Sequence, residues 1–139
     1  MLGVPGAGAA GGLGAALLAL GAELRSGVET VLDLVGFDER VRDVDLVITG
    51  EGNMDEQSAA GKAPVGVARR AKRCGKSVVA VVGGRADNLD VVYEQGVDLV
   101  LPVCRKPMDL DRALGVQEAT TNLICAGEAA ARSYDLGRI

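Results

Sequence analysis

The sequence contains no histidine and no tryptophan. Without histidine the chain lacks the commonest general base and the commonest zinc ligand. Aromatic residues are limited to Phe37, Tyr93 and Tyr134, and the formal net charge is −4. Such a chain has neither the basic patches nor the stacking platforms of a nucleic-acid binder. Cys74, Cys104 and Cys125 are odd in number, widely spaced and form no CxxC pair, which argues against a disulfide framework or a zinc site. They read as free thiols, small core residues of a protein in a reducing compartment. No apolar run is long enough to span a bilayer, and no charged-then-apolar signal peptide opens the chain. A cytoplasmic protein without membrane or nucleic-acid partners is expected.

What is present suits one domain. The chain has 139 residues, 48% hydrophobic and 24% charged, enough for a core of its own. With aromatics scarce, that core must be built from Ala, Val and Leu. Twenty glycines imply tight turns or close backbone approaches.

The glycine-rich start leads into a helix over Leu13–Gly21. Ser26 caps a second helix running to Leu34-Val35, with Gly36 as its stop, and Asp38–Val41 adds a helical turn. Asp45–Thr49 reads as a buried strand. Ala63-Pro64 opens a helix, with Pro where its missing N–H costs nothing. Val65, Ala68, Ala71 and Lys72 follow at helical spacing, Arg69, Arg70 and Arg73 face outward, and Gly75 ends the helix. Ser77–Val82 is apolar in the manner of a parallel strand covered on both faces, turned by Gly83-Gly84. A short helix over Leu89–Gln95, a strand over Val97–Val103 and one long final helix after Pro107, capped by Asp109, complete the chain. Leu110, Ala113, Leu114, Ala119, Leu123, Ile124, Ala126 and Ala130 supply that helix's apolar face.

Alternating strands and helices imply right-handed crossovers and a parallel sheet. The fold class is therefore α/β, three-layered, with a short parallel sheet. Residues 1–139 form a single domain, with a helical lead-in over 1–40 and βα repeats over 41–139. Three strands make a small sheet for this class, so the chain reads as part of a larger α/β body.

Two glycine-rich segments carry candidate chemistry. Gly6, Gly8 and Gly11 formally satisfy the dinucleotide fingerprint GxGxxG, but no strand precedes them and a helix follows, so the βαβ context is missing. Tight helix packing, or an anion such as a carboxylate held by these N–H groups and those around Gly12, are the alternatives.

The second segment runs from Ile48 to Pro64, at the carboxyl end of a strand, where α/β proteins bind ligands. It is not a P-loop: Gly52 lies too far before Gly61-Lys62, and Ala63 stands where Ser or Thr would bind magnesium. Glu51 and Asp55 are hard oxygen donors of the kind Mg²⁺ takes beside substrate phosphates. Lys62, at a helix start, can act on an anion together with the helix dipole. Gln57 and Ser58 can orient a substrate or phosphate oxygen. The same residues would also serve a solvated turn. Gly83–Asp87 can line the same crevice or simply turn, and Arg105 and Lys106 read as a solvated pair.

In Pro5–Gly14, Ala22-Glu23-Leu24, Ser26-Gly27, Asp45–Gly52, Asp55, Gln57, Ser58, Gly61–Pro64, Pro107-Met108, Leu110, Ala113 and Leu114, the sequence resembles the type I, two-domain glycerate kinase family. The resemblance follows nearly the whole chain in order. It departs at Asn53-Met54, where the family typically carries a basic or other pair, and at Ser58, where Thr is usual. The resemblance implies a flavodoxin-like, Rossmann-like domain and ATP-dependent transfer of phosphate to D-glycerate, with Mg²⁺. It also implies that this chain is the C-terminal portion of a longer enzyme, incomplete relative to the family domain.

Within that reading Asp55 and Lys62 are the expected catalytic residues, and Glu51 and Asp55 the metal ligands. Gly6, Gly8, Gly11, Gly12, Gly50, Gly52, Gln57, Ser58 and Gly61 are the expected binding residues. The missing N-terminal part is the expected partner. Surfaces that part would cover favour association, so a homo-oligomer is also expected. The alternative is a non-catalytic α/β module that folds or associates without transferring phosphate.

Overall fold

Three strands, β1 (Leu46–Met54), β2 (Ser77–Arg85) and β3 (Leu99–Pro102), form one parallel sheet in that order. The computed structural model describes residues 3–137; Met1 and Leu2 of the expected lead-in lie outside them. Helices α1 (Ala9–Ala19), α2 (Gly27–Leu34) and α3 (Phe37–Arg40) precede the sheet. Helix α4 (Ala63–Arg73) crosses from β1 to β2, and α5 (Asp90–Glu94) from β2 to β3. Helices α6 (Leu110–Leu114) and α7 (Val116–Leu136) close the chain.

Strand alternation sorts the sheet residues into two faces. Val47, Val78, Ala80, Val82 and Val100 share a core with Val65, Ala68 and Ala71 of α4 and Val92 of α5. On the opposite face α7 packs against β2 and β3, and Val79 is buried there. The sheet is thus covered on both faces at its centre, as the unbroken apolar run Val78–Val82 of β2 requires. It is not covered at β1. The register pairs Ile48 with Val79, on the α7 face, yet Ile48 is 54% exposed because α7 does not reach that far. The expected buried strand is therefore an edge strand with one open face.

The expected boundaries change in four places. β1 does not stop at Thr49 but continues through Gly50–Met54, and β2 continues through Gly83-Gly84 rather than turning there. The two extensions pair with each other, Asn53 opposite Gly84 and Met54 opposite Arg85. Glycine makes this possible: a Cβ on Gly50 would lie 2.3 Å from the Val81 carbonyl oxygen, and one on Gly83 2.5 Å from that of Gly52. β3 is shorter than expected. The long last helix is two, broken at Gly115, whose extended ψ of 129° ends α6 and serves as N-cap of α7.

The final helices bury only part of their expected apolar face, Ala126 and Ala130, and add Asn122 to it. Asn122, Ala126 and Ala130 are the buried positions of α7, whereas Leu110, Leu114, Leu123 and Ile124 are exposed. Arg70 does not face outward. It binds Glu29 and Asp33 of α2 and Asp38 of α3 at 3.0, 2.8 and 2.6 Å and fixes the lead-in helices on α4. Hydrogen bonds to Asp38, Asp33 and Glu29 raise the Arg70 pKa further above its usual value. Among the thiols Cys74 and Cys125 are half-buried, but Cys104, beyond β3, is exposed rather than a core residue.

Candidate active site

Beyond the end of β1 the chain turns through a 3₁₀ segment, Glu56–Ala60, before α4 begins. Asp55 is its N-cap. The Asp55 carboxylate accepts from the Ser58 amide at 3.1 Å, and the Ser58 hydroxyl accepts from the Asp55 amide at 3.1 Å. This reciprocal capping box satisfies two backbone donors that would otherwise be left open. Ser58 is fully buried, so its hydroxyl is a fixed part of the fold. Gly61 ends the segment with φ of 106°, a conformation that side chains strain to adopt. Lys62 follows as N-cap of α4, with Pro64 in the first turn.

This geometry brings four of the expected side chains together. Lys62 Nζ lies 3.2 Å from Ser58 Oγ, 3.4 Å from Asp55 Oδ1 and 3.8 Å from Glu51 Oε2. Glu51 extends from β1 on the α4 face and is 14% exposed, against 35% for Asp55 and 42% for Lys62. Burial pushes the Asp55 carboxyl up, but the Lys62 charge and hydrogen bonds from Lys62 and Ser58 outweigh it, and the net pKa is lowered. Asp55 is therefore a carboxylate at neutral pH, poised to accept a hydrogen bond or ligate a cation. Its second oxygen is 3.4 Å from Asn53 Nδ2.

Glu51 Oε1 is buried and has no hydrogen-bond partner. An unsatisfied buried carboxylate oxygen is costly, and a hard cation is one group that would complete it. Among the described residues no three His, Cys, Asp or Glu side chains form a metal-holding group. That donor set still fits Mg²⁺, which usually takes one or two carboxylates and draws its other ligands from water and substrate phosphates.

The other expected residues stand further off. Gln57 is exposed and lines a groove of about 400 Å³ with Asp55, Glu56, Ala86 and Asn88. Gly50 and Gly52 shape the strand and do not form a loop. Gly6, Gly8, Gly11 and Gly12 are not drawn to this cluster: among the described residues α1 packs extensively against no other element. Ala10, Gly11 and Gly12 all have positive φ, so the regular helix starts at Leu13, as expected. Among the described residues no strand precedes this segment, and the dinucleotide reading lacks its βαβ unit.

Sequence reasoning missed three supporting residues. Arg69 Nη2 donates to the Ala59 carbonyl at 3.1 Å and anchors the end of the 3₁₀ segment to α4. Asn88 Nδ2 donates to Glu56 Oε1 at 3.2 Å and ties the segment to the loop after β2. Asn53 braces Asp55. Arg69 and Asn88 contact the segment only through the tertiary fold, and no local spacing signals them. Asn53, two residues before Asp55, was the one within reach of sequence reasoning.

An edge strand, a capped turn and a helix start that gather two carboxylates, a hydroxyl and an ammonium define an α/β protein with a polar site at the carboxyl rim of a parallel sheet. The sequence profile of the Glycerate kinase family matches residues 1–135, and the chain belongs to that family. It is 47% identical over 128 residues to a glycerate kinase of Bacillus cereus, an alignment covering 91% of this chain and 34% of that protein. It is 50% identical over 111 residues to a glycerate 2-kinase of Escherichia coli K12, covering 79% of this chain and 29% of that protein. A solved structure described as a glycerate kinase 2 from Salmonella typhimurium LT2 superposes with a TM-score of 0.66 at 38% identity, over 96% of this chain and 34% of that one. The chain thus spans about a third of the length of the relatives it matches.

Proposed function

We propose that this chain is the C-terminal part of a glycerate kinase and contributes the Asp55–Lys62 wall of a site that transfers the γ-phosphoryl group of ATP to a hydroxyl of D-glycerate. The convergence of Glu51, Asp55, Ser58 and Lys62 at the carboxyl end of β1 supports this reading, together with the family membership. The free edge of β1 and the open face at Ile48 support a domain completed by the rest of the enzyme, whose strand would pair with β1. They equally suit association between copies. The family reading, with no helix among the described residues long and apolar enough to cross a membrane, supports a cytoplasmic enzyme.

Phosphoryl transfer depends mainly on positioning and charge stabilisation. Lys62 supplies an ammonium beside the uncapped amino end of α4, a pairing suited to phosphoryl oxygens. Asp55, held by Ser58 and kept ionised by Lys62, would accept a hydrogen bond from the acceptor hydroxyl and orient it for in-line attack. Ser58 keeps both Asp55 and Lys62 in place and does not itself reach the substrate. Gln57, exposed in the groove beside Asp55, would contact the acceptor. Glu51 and Asp55 would hold Mg²⁺, which when bound neutralises charge on the phosphates. Lys62, which lies 3.8 and 3.4 Å from the Glu51 and Asp55 oxygens, would supply its ammonium to a phosphoryl oxygen beside that ligand pair.

The test is Asp55→Asn in the intact protein carrying this segment. Asparagine still caps a helical turn but lacks the charge, so the fold is kept and the chemistry is not. With ATP, Mg²⁺ and D-glycerate, kcat is expected to fall at least a hundredfold with an unchanged circular dichroism spectrum. Turnover near the unmutated level would sink the assignment.

A further inference from the structure

A second polar site lies on the same rim of the sheet, beyond β3. Arg105, Lys106 and Arg112 line a cavity of about 620 Å³ together with Gly115 to Glu118, the first turn of α7, and Thr121. Lys106 is exposed, as expected, whereas Arg105 has a buried partner. Arg105 Nε donates to Asn122 Oδ1 at 2.9 Å, and Asn122 is only 1% exposed. A buried amide thus fixes the guanidinium in advance, which lowers the ordering cost of binding.

One carboxylate serves this cluster. Glu118 lies 3.6 Å from Arg105 and 3.5 Å from Arg112. Among the described residues nothing pairs with Lys106. The cavity therefore keeps two uncompensated positive charges in a chain whose net charge is −4. No side chain caps the start of α7, so its first N–H groups are open to the same ligand. A monocarboxylate needs one cation; three cations around one cavity suit a polyphosphate.

We propose that this cavity binds the triphosphate of the phosphoryl donor, at the carboxyl rim that also carries the Asp55–Lys62 cluster. This rests on the glycerate kinase reading. β2 alone separates β1 from β3, so the strands that lead into the two sites lie about two strand spacings, ~10 Å, apart.

Calorimetric titration of the intact protein with inorganic tripolyphosphate and with a non-hydrolysable ATP analogue tests this. Lys106→Ala and Arg112→Ala, alone and combined, are the variants. Arg105 is left in place because its loss would orphan Asn122. Each loss is expected to weaken both ligands about tenfold, from charge-assisted hydrogen bonds. The KM for ATP should rise with the KM for D-glycerate unchanged. Lys106→Ala, at an exposed side chain without a partner, checks the result without disturbing an ion pair.

Unchanged affinities in the double variant, with wild-type transfer intact, would overturn the site and leave the kinase reading standing. A wild type that binds neither ligand would also overturn it, as would variants that lose only D-glycerate affinity. Tripolyphosphate binding lost in the double variant, from a wild type that phosphorylates no glycerate, would uphold the anion site and overturn the kinase reading.

Discussion

Gly50 and Gly52 lie two residues apart in one strand, and the structure gives them opposite sensitivities to a methyl group. A Cβ on Gly50 would sit 2.3 Å from the carbonyl oxygen of Val81 in the adjacent strand. A carbon rests no closer than about 3.3 Å to a carbonyl oxygen. Gly50→Ala therefore forces β1 and β2 apart by roughly 1 Å, given that separation. Overpacking of this kind costs ~1–3 kcal/mol, and each ladder hydrogen bond lost adds ~0.5–1.5 kcal/mol. A destabilisation of about 2–4 kcal/mol follows from the two together. A Cβ on Gly52 meets nothing within 4 Å, and its φ is not positive. Gly52→Ala should be neutral or stabilise by up to ~1 kcal/mol through the unfolded chain. In urea, with a slope of ~1–3 kcal/mol per molar, the midpoints of the two variants should differ by about 1 M or more. Coincident midpoints would refute the close approach of β1 to β2 and the view of Gly50 as a packing residue.

Two further perturbations probe the capped turn. Ser58→Ala leaves the Asp55 amide without its 3.1 Å acceptor and takes the nearest hydrogen-bond partner from Lys62. The urea midpoint should fall by the equivalent of ~1–3 kcal/mol, the cost of an orphaned buried donor; an unchanged midpoint would remove the hydroxyl's structural role. The second is acid. Arg70 hydrogen bonds hold the Asp38 carboxyl below its ordinary value against the opposing effect of burial, and Lys62 with Ser58 does the same at Asp55. The unfolded chain therefore binds these two protons more readily. Their contribution is complete above the ordinary value of 3.8 and is lost as pH falls through the lower folded values. Thermal midpoints from these groups should hold level from pH 7 to 5 and drop below about 4. The acid limb should be shallower in Asp55→Asn than in wild type; equal limbs would mean that Asp55 is not held down in the folded state.

Local signals carried far in this sequence where one residue decides the backbone. Ser26 caps α2 by accepting from the Glu29 amide, Asp109 caps α6 through the Arg112 amide, and Pro64 opens α4. The apolar run of β2 reported two covered faces. The same signals misled where a residue type has two uses. Gly50, Gly52, Gly83 and Gly84 read as loop glycines, yet they allow two strands to run close together past their expected ends. Arg70 read as a solvent-facing charge, and only the tertiary placement of Glu29, Asp33 and Asp38 turns it inward. Gly115 lies within an otherwise helical pattern, and its break separates α6 from α7. Of the site, Glu51, Asp55, Ser58 and Lys62 were legible because one short segment carries them all. Arg69, Asn88 and the Arg105–Asn122 pair were not, because their contacts join segments distant in sequence.

The polar cluster also accounts for where the strand must end. Lys62 reaches Asp55 and Glu51 only because β1 runs on to Met54, which is fully buried and anchors the chain before it turns. If β1 stopped at Thr49, Glu51 would lie in a solvated loop and its carboxylate would gain little from a nearby ammonium. Held in the sheet opposite Val82, it is largely withdrawn from water and one oxygen is left without a donor. That cost persists in the folded chain because the paired glycines hold the strand in place. Packing along β1 and β2 therefore sets the site's charge balance: one ammonium between two carboxylates, one of them incompletely satisfied, which is an arrangement that favours a cation arriving with its own anionic partner.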